Sequence, residues 1–155
     1  MEGKPISATA LVNQANEVFP NDLNPSGALF GGRALQIADT LAAIVAKRHT
    51  GCVCVTLGID SVRFINPARQ GDILLFNVAI NRTWRTSLEI GVHMVAEDFR
   101  TGKQKDVFSA YFTFVAIDAQ GKPIPVLPAI PETDIERQRH AQAEERRQAR
   151  LKQVM

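Results

Sequence analysis

The sequence predicts an α+β fold in which one long central helix is wrapped by a curved antiparallel sheet of about five strands, followed by a charged helical tail at the C-terminus. Two observations carry this prediction. From Gly32 to about Arg48 there is no proline or further glycine, and apolar residues cover most of a helical wheel. Around that stretch lie segments that read as strands, one before it and four after, most with apolar residues recurring every second position. A helix apolar on nearly all sides must be covered, and successive strands are the partner the chain supplies.

The first segment, Thr9 to Phe19, carries Leu11, Val12, Val18 and Phe19 around polar positions and ends at Pro20 with Asn21-Asp22. A loop rich in Asn, Pro, Ser and Gly then runs from Asn21 to Gly32. The helix comes next, with Lys47, Arg48 and His49 suited to its negative end and Gly51 placed to stop it. Val53, Val55 and Leu57 open the next strand, which continues from Ile59 to Ile65, with Gly58 marking a bulge. Asp72 to Thr83 puts Leu74, Phe76, Val78 and Ile80 on one face. Ser87 to Glu97 does the same with Leu88, Ile90, Val92, Met94 and Ala96, and Val107 to Ile117 closes the series. A sheet wrapped on one helix leaves its edge strands open, which favours self-association edge to edge.

At 155 residues and 17.0 kDa the chain has the size of one ordinary domain, read as residues 8–128, with residues 129–155 as the charged tail. Asp118 to Pro131 contains four of the eight prolines and reads as an extended surface segment. From Glu132 onward six basic residues face five acidic ones, and the expectation is a solvated helix or frayed tail; Ile135, Leu151 and Val154 are the residues of a partner-binding alternative. Net charge is +2 without a dominant basic patch, which speaks against nucleic acid as a partner. No signal core or membrane-length apolar run is present, so no membrane is expected. Cys52 and Cys54, two apart on a strand, would make a strained bridge; reduced thiols suit a cytoplasmic location.

Asp39 is the most informative single residue. Its i−4, i+3 and i+4 neighbours Leu35, Ala42 and Ala43 are apolar, so the spacing predicts a buried carboxylate, costly unless paired or used. It either serves chemistry or turns to a backbone amide or an arginine such as Arg63 at a subunit contact. Gly31 and Gly32 fall at the helix N-terminus, where free N–H groups can stabilise an oxyanion, although they equally make a tight turn. Asn24 offers a side-chain donor and acceptor, or an Asx-turn before Pro25. Arg82-Thr83-Trp84-Arg85-Thr86-Ser87 gathers groups able to bind phosphates and stack an adenine, and reads equally as a polar hairpin. His49, His93 and His140 have neither metal-ligand spacing nor a nucleophile elbow nearby, so no metal and no catalytic histidine are expected.

Taken together, Asn24-Pro25-Ser26-Gly27, Leu29-Phe30-Gly31-Gly32 with Asp39, Val55-Thr56 with Asp60 and Phe64, Pro67, Gly71-Asp72, Arg85-Thr86-Ser87 and Phe112 to Asp118 with Gly121-Lys122-Pro123 closely resemble acyl-CoA thioesterases of the YciA and brain acyl-CoA hydrolase type. Ile37-Ala38 stand where the family commonly has a bulkier pair, and Trp84 where glycine commonly precedes Arg-Thr-Ser. The resemblance implies a hotdog fold, hydrolysis of acyl-CoA to a free acid and coenzyme A, and active sites at a dimer interface, often within a trimer of dimers. It implies Asp39 as general base or nucleophile, Asn24 of the facing subunit positioning water or thioester, and Gly31 and Gly32 as oxyanion donors. Arg85, Thr86 and Ser87, with Arg63, are implied in holding the coenzyme A moiety. Coenzyme A is then substrate and product, and no cofactor is implied. A non-catalytic acyl-CoA sensor or carrier on the same fold is the alternative.

Overall fold

The computed structural model describes residues 1–153. Its elements are β1 (Lys4–Pro5), β2 (Leu11–Glu17), α1 (Gly31–Thr50), β3 (Val53–Phe64), β4 (Ile73–Thr83), β5 (Ser87–Glu97), β6 (Gln104–Ile117), β7 (Ala129–Ile130) and α2 (Asp134–Gln153). Five strands form one antiparallel sheet in the order β2-β4-β5-β6-β3, and β1 pairs in parallel with β7.

The period-two pattern decides which residues meet α1. Leu74, Phe76, Val78 and Ile80 of β4, Leu88, Ile90 and Met94 of β5, and Phe108, Phe112 and Phe114 of β6 are all at most 1% exposed and form one cluster with Ala34, Ala38, Ala42, Val45 and Ala46 of α1. Alanine on the helix and phenylalanine on the sheet are complementary, because the small residues let α1 lie close over the large ones. The helix stops where Gly51 turns left-handed at φ 68°, its N–H donating to the Lys47 carbonyl.

The edge strand β3 departs from regular pairing twice, between Thr56 and Gly58 and between Asp60 and Arg63. Thr56 is paired with Phe114 on the inner face, toward α1. Asp60 is paired with Tyr111, whose neighbours Gly91 and Thr113 point to the outer face. The bulge expected at Gly58 is therefore present, and it reverses the side-chain alternation.

Two segments differ from what the sequence suggested. The proline-rich stretch is a packed strap: Ile124 N–H donates to the Ala116 carbonyl, Val126 N–H to the Arg85 carbonyl, and Val126 and Ala129 are buried. The charged tail is a docked helix. It begins with a capping box, in which Thr133 Oγ1 accepts from Glu136 N–H while Glu136 Oε1 accepts from the N–H groups of Glu132 and Thr133. It then lies across the outer face of the sheet.

Glu89, 0% exposed on that outer face, accepts from Arg146 at 2.6 Å and Arg150 at 3.1 Å, and Arg150 also reaches Asp60. The Arg146 guanidinium lies 3.6 Å from the centroid of the Tyr111 ring, and Arg147 stacks on Trp84. The contact stripe of α2 is thus polar and cationic, with the buried Ala143 as its small apolar member. Ile135 and Leu151 remain exposed, and Val154 lies outside the described residues. Among the described residues no helix is long and apolar enough to cross a membrane.

Candidate active site

Asp39 sits on the flank of α1 that faces β3. It is half-buried, where the helical wheel predicted full burial. The physical reason is that the wheel counts neighbours on the same helix, whereas burial depends on what lies over them. The buried stripe of α1 runs through Ala34, Ala38, Ala42 and Ala46, and Leu35, Asp39 and Ala43 form its half-open border. Thr56 Oγ1 donates to Asp39 Oδ1 at 2.7 Å, a short bond of the charge-assisted kind. Oδ2 accepts no hydrogen bond among the described residues, which leaves one carboxylate oxygen for another partner.

Asn24 lies in a different place. Its Oδ1 accepts from the backbone N–H groups of Ser26 and Ala28 and from the Ser26 hydroxyl, an Asx-turn that fixes the loop. The side-chain amide Nδ2 has no partner among the described residues, and it is the group left to act on something outside the loop. Asn24 lines a cleft of about 320 Å³ together with Gly31, Ala34, Phe64, Asn66 and Val107.

At the start of α1 the N–H groups of Arg33 and Ala34 both donate to the Phe30 carbonyl, while those of Gly31 and Gly32 donate to nothing among the described residues. Gly31 opens onto the cleft beside Asn24, and the positive end of the helix dipole points there. Gly32 is tied to the local turn: a β-carbon on it would come within 2.5 Å of the Phe30 ring. One protomer therefore unites Asn24 with Gly31, and Asp39 with Thr56, but does not bring the two pairs together.

The remaining predicted residues fall on the outer face or at its rim. Arg85 is exposed and Thr86 half-buried at the β4-β5 hairpin, closed by Trp84 N–H donating to the Ser87 carbonyl. Ser87 is 8% exposed, and Arg147 reaches its hydroxyl at 3.4 Å. Trp84 Nε1 donates to Glu144, and Arg82 donates to the His140 carbonyl. Trp84 and Ser87 thus serve α2 of the same chain, leaving Arg85 and Thr86 as the accessible part of the cluster. Arg63, exposed on β3, has no salt-bridge partner among the described residues.

Thr56 is the residue the sequence reading did not single out as functional, although Val55-Thr56 lay within the motifs. The two cysteines lie on the same edge. Burial pushes the Cys54 thiol up, away from the thiolate form that would make it a nucleophile. No group of three or more His, Cys, Asp or Glu among the described residues is placed to hold a metal ion.

Residues 26–103 match the model of the thioesterase superfamily, and a Bacillus subtilis protein named uncharacterized acyl-CoA thioester hydrolase YkhA is 36% identical over 87% of this chain and 78% of its own length. The chain belongs to the thioesterase superfamily. Among solved members, an apo-hexameric acyl-CoA thioesterase superposes with a TM-score of 0.95 at 33% identity, covering 99% of this chain and 98% of that one. A Staphylococcus aureus acyl-CoA hydrolase in complex with butyryl coenzyme A and coenzyme A gives 0.88 at 35% identity, covering 97% and 93%. These neighbours share the hotdog architecture. Variants of the Staphylococcus enzyme with one asparagine, one aspartate and one threonine each replaced by alanine have also been solved. Those three positions follow one another at the same intervals as Asn24, Asp39 and Thr56. The chain spans about a quarter to a third of the length of the mouse relatives it matches, acyl-coenzyme A thioesterase 11 among them.

Proposed function

We propose that this protein hydrolyses acyl-CoA thioesters to a free carboxylic acid and coenzyme A at a site shared between two copies of the chain. The observation that carries the proposal is the Asp39–Thr56 pair, a carboxylate with one oxygen held and one free, on the border of an unpaired apolar edge strand. Val53, Val55, Leu57, Ile59 and Phe64 of β3 are all at least 39% exposed, apolar side chains on both faces of an unpaired sheet edge. Antiparallel pairing of β3 with its copy would close that edge and continue both faces into the second copy. It would also set the Phe64 end of one protomer, with Asn24 and Gly31, beside the Thr56 end of the other. The hexameric relatives support three such dimers per assembly.

Asp39 Oδ2 then takes a proton from water as the water oxygen attacks the thioester carbon. The partner's free amides at Gly31 and Gly32 and the Asn24 amide receive the charge that develops on the carbonyl oxygen. Collapse breaks the C–S bond, and the thiolate leaves with the proton that Asp39 gained. Direct attack by Asp39 would instead give a mixed anhydride that water later opens. Thr56 fixes the carboxylate in either route, and Arg85, Thr86 and Arg63 are the accessible groups for the coenzyme A phosphates.

The test is thiol release from acyl-CoA by Asp39→Ala and Asp39→Asn proteins that keep the wild-type fold and assembly. Loss of turnover supports the scheme, and wild-type-like turnover overturns it. Tight acyl-CoA binding by the wild-type protein without release of coenzyme A would make it a carrier.

A further inference from the structure

Phe64, the last residue of β3, is 55% exposed yet held from two sides. On the sheet it pairs in register with Phe108, which is fully buried, and the two rings meet at 5.4 Å between centroids with a tilt of 58°. Toward α1 the ring edge lies against Gly31. A methyl group placed on Gly31 would stand 3.1 Å from Phe64 Cζ and 3.3 Å from Cε1. Gly31 does not have a positive φ, so it is the ring and not the backbone that crowds a side chain here. Gly31 and Phe64 are a matched pair, the aromatic edge occupying space that a side chain at position 31 would take.

We infer that Phe64 selects the acyl group, admitting thioesters whose carbon next to the carbonyl is unbranched and turning away those substituted there. The inference rests on the proposed hydrolysis, with the carbonyl oxygen at the Gly31 amide. An oxygen bonded to that N–H puts the adjacent acyl carbon within van der Waals reach of the ring. The cleft beyond is walled by Ala28, Ala34, Pro67, Ala68 and Val107, which suits a hydrocarbon better than the polar cysteamine arm. A ring held by Phe108 and the helix end turns aside only by giving up those contacts, so a methyl branch meets a resisting wall. A misfit of one carbon in an apolar pocket changes kcat/KM by about 10- to 200-fold.

The experiment compares kcat/KM for butyryl-CoA and 2-methylbutyryl-CoA in wild type, Phe64→Leu and Phe64→Ala, each with its mass in solution measured. The wild type should prefer the straight chain by about tenfold or more, Phe64→Ala should reduce that ratio to about threefold or less, and Phe64→Leu should fall between. An unchanged ratio in Phe64→Ala, or no preference in the wild type, overturns the inference. Loss of both activities in both variants with assembly intact would make Phe64 a requirement for turnover and would overturn its role in selection. A wild-type protein that releases coenzyme A from neither substrate would instead remove the hydrolytic reading on which the inference stands.

Discussion

Asp39, on the inner side of the sheet, and Glu89, on its outer side, are carboxylates in opposite circumstances. Glu89 is 0% exposed and accepts from Arg146, Arg150 and Asn81, so it is saturated by its own chain. Asp39 is half-open, with Thr56 as its one partner. A fully satisfied buried charge has nothing left to offer a substrate. A half-satisfied one at an open edge has a free oxygen and a place to receive a second subunit. Burial by itself therefore marks the structural acid, and incompleteness marks the one proposed for chemistry.

The comparison can be broken in four ways. The largest effect is expected for Asp39→Asn, which should lower kcat for acyl-CoA hydrolysis by about 10²- to 10⁴-fold while leaving the melting temperature near that of the wild type. A melting temperature that fell along with activity would make Asp39 structural. Arg146→Met should do the reverse. Breaking a buried ion pair costs about 3–5 kcal/mol, and the low end applies here because Arg150 and Asn81 still reach Glu89. Denaturant unfolding would measure that loss, and an effect below about 1 kcal/mol would show that α2 is held by other means.

Thr56→Val should cost about tenfold in turnover and little stability, since it frees Asp39 Oδ1 and leaves the strand intact. The smallest effect concerns pH. Burial holds His49 below its ordinary value of 6.5, outweighing the hydrogen bond to the Leu127 carbonyl, and the nearby Lys4 lowers it further. The unfolded chain then binds the proton more readily than the folded one, so stability falls as pH drops below about 6.5. The same descent should be shallower in His49→Gln, followed as melting temperature between about pH 7.5 and 5.5. Parallel curves for the two proteins would exclude His49 as the source.

The inner half of the molecule was legible in the sequence because it is built from apolar periodicity. The alternation in β4 and β5 and the unbroken run of α1 placed those elements to within two residues, and Gly58 gave away the bulge. The outer half obeys other rules. The contact stripe of α2, from His140 through Ala143, Glu144 and Arg147 to Arg150, has helical spacing but the composition of a solvated face. A search for apolar periodicity passes over it. Trp84, read as a possible adenine platform, is where that helix rests. The candidate site was legible as a set of residues, Asn24, Gly31 and Asp39, and not as an arrangement, because one chain keeps Asn24 with Gly31 apart from Asp39 and the proposed site joins them only across an open sheet edge.

The bulge between Thr56 and Gly58 carries a consequence for how β3 can change over time. Thr56 and Asp60 are four positions apart and would share a face in a regular strand. The irregularity sends Thr56 inward to Asp39 and Asp60 outward to Arg150. One edge strand thus works like a railway point, giving one signal to α1 and another to the C-terminal helix. Substitutions along it can be absorbed singly. Leu57 is the extra residue: without it Thr56 and Asp60 would stand three positions apart, and a regular strand would still send one inward and the other outward, so β3 could lose that residue and keep both anchors.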